Sequence, residues 1–205
     1  MNLPNILTMI RILLVPVFLL AFLTRFKALG LLAAAIFVLA AITDGVDGYL
    51  ARKHKAVTKL GQFLDPLADK LLITAALIGL VEVKLITTWT AMVIIGRELA
   101  VTGLRGIAAA EGTIIAAGPW GKAKTVMQIV FIVTAMLHRS LPDGFWLNEL
   151  ADFLFMPFLW AAVALTIWSG VDYFAAYYRG MRSRAQAQRP ALRFRLKLPL
   201  RRRPK

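Results

Sequence analysis

Four of the eleven acidic residues in this chain of 205, Asp44, Asp47, Asp65 and Asp69, lie between two long apolar runs, beside a loop holding Arg52, Lys53, Lys55 and Lys59. On a helix turning about 100° per residue, Asp44 and Asp47 share a face with Gly48 and Ala51, and Arg52 flanks it. Asp65 and Asp69 share a second face with Gly61. Small side chains beside the acids leave room for a ligand to approach the backbone. Pro66 removes one helical donor, so the second helix either starts near Asp65 or kinks there. Four carboxylates drawn together repel one another unless a cation neutralises them. A donor set of oxygens alone suits a hard divalent ion, Mg²⁺ or Mn²⁺, better than zinc. Such ions bridge phosphate oxygens, so the pattern points to metal-dependent chemistry on a phosphate or pyrophosphate ester. A solvated loop with ordinary surface acids is the plainer reading. Against it stand the repeated spacing, the small residues on the same side and the position at the ends of apolar runs. A metal-ion transporter would place such acids in mid-span.

A second constellation is cationic. Arg97 and Arg105 are about 80° apart on a helix and lie along one broad stripe. Lys122 and Lys124 begin the next apolar run. Arginine inside a membrane helix reads as functional by default, and these cations could converge on a dianionic phosphate through forked hydrogen bonds. The competing reading is snorkelling side chains that mark an interface, with Glu98 paired to one of them. Asn5, Thr8 and Arg11 recur at intervals of three near the start; helix capping and an interfacial polar patch are both open to them. Asp172 and Tyr173 either line the same cavity or anchor an interface. His54 is read as solvated, and His138 and Arg139 are given no chemistry. Trp89, Trp146, Trp160 and Trp168 fit interfacial belts or helix packing.

The elements that must position these residues are helices. The chain is 59% hydrophobic with mean hydropathy +0.68, and apolar runs near twenty residues recur, long enough to cross a hydrocarbon core. The expectation is an all-α polytopic membrane protein with six transmembrane helices, over 4–26, 28–48, 66–83, 89–110, 122–138 and 151–174. The first is an uncleaved helix, because no small-residue cleavage site follows it. With both termini cytoplasmic, the inner side receives 21 Lys and Arg and the outer side receives Arg25, Lys27, Lys84 and Arg139, which fixes orientation by the positive-inside rule. Residues 1–178 form the catalytic domain. Residues 179–205 form a basic cytoplasmic tail with eleven Lys and Arg and no acid, expected to be disordered given Pro190, Pro199 and Pro204. Anchoring on anionic lipid and simple enforcement of orientation are its two readings. Nucleic acid is not expected as a partner, because only Phe194 offers a stacking platform. The absence of cysteine excludes disulfides and Cys-ligated metal centres.

Asp44-x-x-Asp47-Gly48-x-x-Ala51-Arg52, eight residues, then Gly61-x-x-x-Asp65-x-x-x-Asp69 resembles the complete signature of the CDP-alcohol phosphotransferases. "MNLPNILTMIRILLVPVF", "GRELAVTGLR" at 96–105 and "WGKAKT" at 120–125 are similar to the bacterial phosphatidylglycerophosphate synthase branch, and the likeness extends from Met1 to about Gly180. The resemblance implies the six-helix fold of that family, a site opening to the cytoplasmic face of a bacterial inner membrane, and a homodimer. It implies CDP-diacylglycerol and sn-glycerol 3-phosphate as substrates. Related acceptors define the alternatives, a cardiolipin synthase or a phosphatidylinositol-phosphate synthase. It further implies that Asp44, Asp47, Asp65 and Asp69 hold a pair of Mg²⁺ or Mn²⁺ ions and that Asp69 is also the general base. Gly48, Ala51, Arg52 and Gly61 would receive the CMP part, with Asn5 and Thr8 nearby. Arg97, Arg105 and Lys122 would clamp the acceptor phosphate.

Overall fold

A computed structural model describes residues 3–54, 59–110 and 118–195, apart from the side chains at 3–5, 7, 44–54, 59–66, 69 and 183–195. The described residues form six helices and no strand: α1 (Leu3–Leu23), α2 (Lys27–His54), α3 (Lys59–Glu82), α4 (Thr88–Ala110), α5 (Pro119–Ser140) and α6 (Trp146–Arg195). Each expected span has its helix, but several helices outrun the apolar runs that announced them. α2 continues to His54 and carries Asp44, Asp47, Gly48, Ala51 and Arg52. α3 begins at Lys59, so Pro66 lies inside it instead of marking its start. Hydropathy falls where charges begin, whereas Ala, Leu, Lys and Arg remain good helix formers; apolar length therefore underestimates helix length here. The same reason corrects the tail. α6 runs unbroken past residue 178 to Arg195, so 179–195 is helical backbone instead of the disordered segment expected, and 196–205 lie outside the described residues.

α1 packs against α2 and α3, α5 against α6 and α2, and α4 against α6 and α3. The core between them is aromatic and aliphatic: Phe18, Phe22, Phe37, Leu77, Leu80, Ile94, Phe131, Ile132 and Met136 are fully buried. Phe18 contacts Phe22 and Phe37 with ring centroids 6.1 and 5.8 Å apart, a separation at which aromatic pairs attract beyond their buried area. The turn after α3 closes with Lys84 at φ 62° and the Leu85 amide donating to the Leu80 carbonyl at 2.9 Å, the left-handed helix stop that satisfies terminal carbonyls.

Large apolar side chains also point outward, among them Leu13, Leu20, Leu39, Ile78, Phe153, Trp160 and Val171. An apolar exterior around an apolar core suits lipid as the surrounding solvent. Among the described residues, Pro119–Ser140 and Trp146–Arg182 are long and apolar enough to cross a membrane, and Thr8–Leu23 and Lys27–Thr43 are shorter apolar helices. α4 carries Arg97, Glu98 and Arg105 within its length, which lowers its hydropathy at the place where chemistry is expected.

Candidate active site

α4 presents Arg97, Glu98, Val101, Thr102 and Arg105 to a cavity of about 390 Å³. The spacing of one, four, five and eight residues keeps these side chains on one face of the helix. α5 contributes Gly121, Lys122, Lys124, Thr125 and Val126, α3 contributes Lys70, and α6 contributes Tyr173. Arg97, Arg105 and Lys122 are thus brought together from two helices. Tyr173, for which the sequence left two readings, lines the cavity.

The electrostatics centre on Glu98. Its Oε1 accepts a hydrogen bond from Lys124 Nζ and another from Arg97 Nη1 at 3.3 Å, and its Oε2 lies 4.0 Å from Lys70 Nζ. Lys124 is buried, and so cannot swing freely to a ligand as the sequence suggested it might alongside Lys122. Lys122 and Arg105 are exposed at the cavity wall. Behind Glu98 and Lys124, a pocket of about 20 Å³ reaches Gln128, which donates to Thr166 Oγ1 at 3.2 Å.

Arg97 is held differently from its neighbours. Its guanidinium lies over the Tyr173 ring, 5.6 Å from the centroid, within cation–π range. Gly170 leaves space for its stem: a Cβ at that glycine would sit 3.2 Å from Arg97 Cγ. Its side chain is only 11% exposed, yet Nε and Nη2 are buried without a hydrogen-bond partner. Buried donors left unpaired are rare, and each such group calls for an explanation.

The other candidates sit on the first three helices. Asp44, Asp47, Gly48, Ala51 and Arg52 are on α2, Gly61, Asp65 and Asp69 on α3, and Asn5 on α1; apart from this backbone placement they lie outside the described residues. Only four residues separate the end of α2 from the start of α3, so both aspartate pairs flank one interhelical connection. Among the described residues no group of three or more potential metal-ligating side chains occurs. Thr8 and Arg11 are both buried, one turn apart on α1, the helix that packs against α2 and α3. The sequence reading missed Lys70, Thr102 and Thr125 as cavity residues and treated Glu98 only as a possible partner. A lone carboxylate in an apolar helix next to an arginine was the available signal.

Residues 1–168 match the family model for CDP-alcohol phosphatidyltransferase. The chain belongs to this family. The match takes in α1 to α5 and α6 as far as Trp168, and so includes every candidate position above except Asp172, Tyr173 and Gly170. As a CDP-alcohol phosphatidyltransferase the chain is an enzyme of phospholipid synthesis. It is 43% identical over 195 residues to a CDP-diacylglycerol–glycerol-3-phosphate 3-phosphatidyltransferase of Bacillus subtilis, covering 89% of this chain and 98% of that one. A protein of the same description from Pseudomonas fluorescens is 39% identical over 181 residues, covering 86% and 90%. A probable phosphatidylglycerophosphate synthase of Mycobacterium tuberculosis is 42% identical over 181 residues, covering 87% and 82%.

Proposed function

We propose that this chain transfers the phosphatidyl group of CDP-diacylglycerol to sn-glycerol 3-phosphate, giving phosphatidylglycerophosphate and CMP. The single observation that carries the acceptor is Arg97, whose two unpartnered nitrogens are buried at the wall of a cavity also lined by Arg105 and Lys122. A phosphate supplies the acceptors those donors lack, in the forked geometry that guanidinium favours. The Bacillus subtilis and Pseudomonas fluorescens relatives carry names that state the same two substrates.

Asp44, Asp47, Asp65 and Asp69 would hold the divalent metal, a pair of Mg²⁺ or Mn²⁺ ions. The fit rests on an all-oxygen donor set carried by two helix segments joined through four residues. When bound, such ions neutralise the pyrophosphate and stabilise the departing CMP. Gly48, Ala51 and Gly61 admit the nucleotide next to the backbone, Arg52 faces its phosphate, and Asn5 and Thr8 border it. Arg97, Arg105 and Lys122 fix the acceptor phosphate, which orients the acceptor hydroxyl. Asp69 takes the hydroxyl proton as the oxygen attacks phosphorus. Lys70, the next residue along α3, lines the acceptor cavity, so proton acceptor and phosphate pocket belong to adjacent positions of one helix.

In the reading that completes this picture, all six helices span a bacterial inner membrane, with both termini and the site on the cytoplasmic side. The distribution of 21 Lys and Arg against 4 supports that orientation. Residues 1–178 hold the catalytic machinery, and the basic segment 179–205 lies on anionic lipid. The enzyme is a homodimer and takes no nucleic acid. Purified full-length chain given CDP-diacylglycerol, sn-glycerol 3-phosphate and Mg²⁺ or Mn²⁺ should release CMP, stop on EDTA addition and resume on metal add-back. Turnover with inositol phosphate or phosphatidylglycerol alone would overturn the acceptor, and CMP release indifferent to EDTA would overturn the metal.

A further inference from the structure

Glu98 is the single acidic residue of α4 and the only carboxylate among the described cavity residues. It meets cations from three helices: Arg97 on its own helix, Lys124 on α5 and Lys70 on α3. Lys124 is 3% exposed and Glu98 16%, so solvent and salt screen their pairing little. The three cations are not treated alike. Lys124 donates to the carboxylate from a buried position. Arg97 gives it one nitrogen, Nη1, and keeps Nε and Nη2 without a partner. Lys70 stands 4.0 Å off.

We propose that Glu98 is a positioning residue for the acceptor phosphate. This rests on the functional reading above and deepens it. By binding Nη1, Glu98 sets the plane of the Arg97 guanidinium, which the Tyr173 ring supports from one side at 5.6 Å. By binding Lys124, it occupies that ammonium at the cavity wall. The phosphate then meets Arg97, Arg105 and Lys122 in one arrangement instead of a loose group of interchangeable cations. Because Lys70 directly follows Asp69, the same carboxylate links the acceptor pocket to the helix bearing the proposed base.

A role through charge alone predicts the opposite sign. Removing a negative charge beside an anion site strengthens the local positive field and should tighten the acceptor. Loss of positioning weakens it. The sign of one kinetic change therefore separates the two.

The test is steady-state kinetics of CMP release by the full-length chain, with each substrate varied in turn and unfolding midpoints measured in the same detergent. Glu98→Gln should raise KM for sn-glycerol 3-phosphate about tenfold or more while KM for CDP-diacylglycerol stays unchanged, and should lower the midpoint because the Lys124 ammonium stays buried without its carboxylate. Glu98→Asp keeps the charge but shortens the reach, and should give a smaller rise in the same direction; it carries the test alone should the glutamine variant not fold. An acceptor KM that is unchanged or lowered overturns the proposal. So does a rise in both KM values together with a lowered midpoint. Wild-type chain assayed against a panel of phosphorylated acceptors separates the two levels of the argument. If it uses another phosphorylated alcohol, the functional reading fails, but a selective KM rise for that alcohol still upholds Glu98.

Discussion

Arg97 and Arg139 are both lodged against an aromatic ring, with the guanidinium 5.6 Å from the Tyr173 centroid in one case and 5.0 Å from Phe22 in the other. Their hydrogen bonds differ. Arg139 gives Nη1 to the Phe22 carbonyl and Nη2 to the Thr24 carbonyl at 3.2 Å, capping the end of α1, where helix carbonyls lack partners of their own. Lys27 joins the same end of the bundle through the Leu141 carbonyl at 3.0 Å and Asp143 at 3.3 Å. Arg97 has one carboxylate contact and two nitrogens with none. A cation whose buried nitrogens all find partners in the protein holds the fold; one kept partly unsatisfied beside a cavity waits for an anion. Arg97, on α4, lies beside the first turns of α5, and Arg139 lies in its last turn; α5 is about 33 Å long at 1.5 Å per residue.

The largest expected effect lies on the functional side. Asp69→Asn should lower turnover by about a thousandfold or more, consistent with loss of a general base, while CDP-diacylglycerol binding is largely retained; intact turnover would remove Asp69 from the mechanism. Next comes the arginine pair itself. Arg97→Gln should lower kcat/KM for the acceptor about a hundredfold with little change in unfolding midpoint. Arg139→Gln should do the reverse, leaving acceptor kinetics within about twofold but lowering the midpoint by about 5 °C. If both variants moved both readouts alike, the distinction between a structural and a ligand-binding arginine would collapse.

The glycines sharpen the comparison at smaller scale. An added Cβ at Gly170 meets the Arg97 stem at 3.2 Å, whereas one at Gly30 runs into the Ser140 side chain at the opposite end. Gly170→Ala should raise the acceptor KM about threefold at nearly constant stability, because a flexible stem gives way but re-aims its head. Gly30→Ala should lower the unfolding midpoint and leave acceptor KM alone. Kinetics and thermal melts on the two proteins check this directly.

Some of this was legible before any coordinates. The Asp44–Asp69 signature depends on helical spacing, and the helices carrying it follow from apolar runs, so placing both aspartate pairs on consecutive helices needed only periodicity. Arg97, Arg105 and Lys122 stood out because ionisable side chains in apolar helices are costly. What sequence could not supply were pairings between helices. Nothing local tells that Lys124 is taken by Glu98 from 26 residues away, or that Tyr173 and Gly170 on α6 frame Arg97. These depend on how α4, α5 and α6 cross, which packing decides. The run of α6 to Arg195 was missed for another reason: Pro190 and the dense positive charge argued for a break, whereas the intervening Ala, Gln and Arg keep helical backbone.

The central claim is that the cavity beside Arg97 reads a phosphate on the acceptor. Its most direct test is the rate of CMP release by wild-type chain with sn-glycerol 3-phosphate against plain glycerol, at fixed CDP-diacylglycerol and metal. A site built to hydrogen-bond a group rejects the analogue lacking it, so kcat/KM should favour sn-glycerol 3-phosphate by about a thousandfold or more. Comparable rates with glycerol would contradict the claim and leave the unsatisfied nitrogens of Arg97 without their proposed partner.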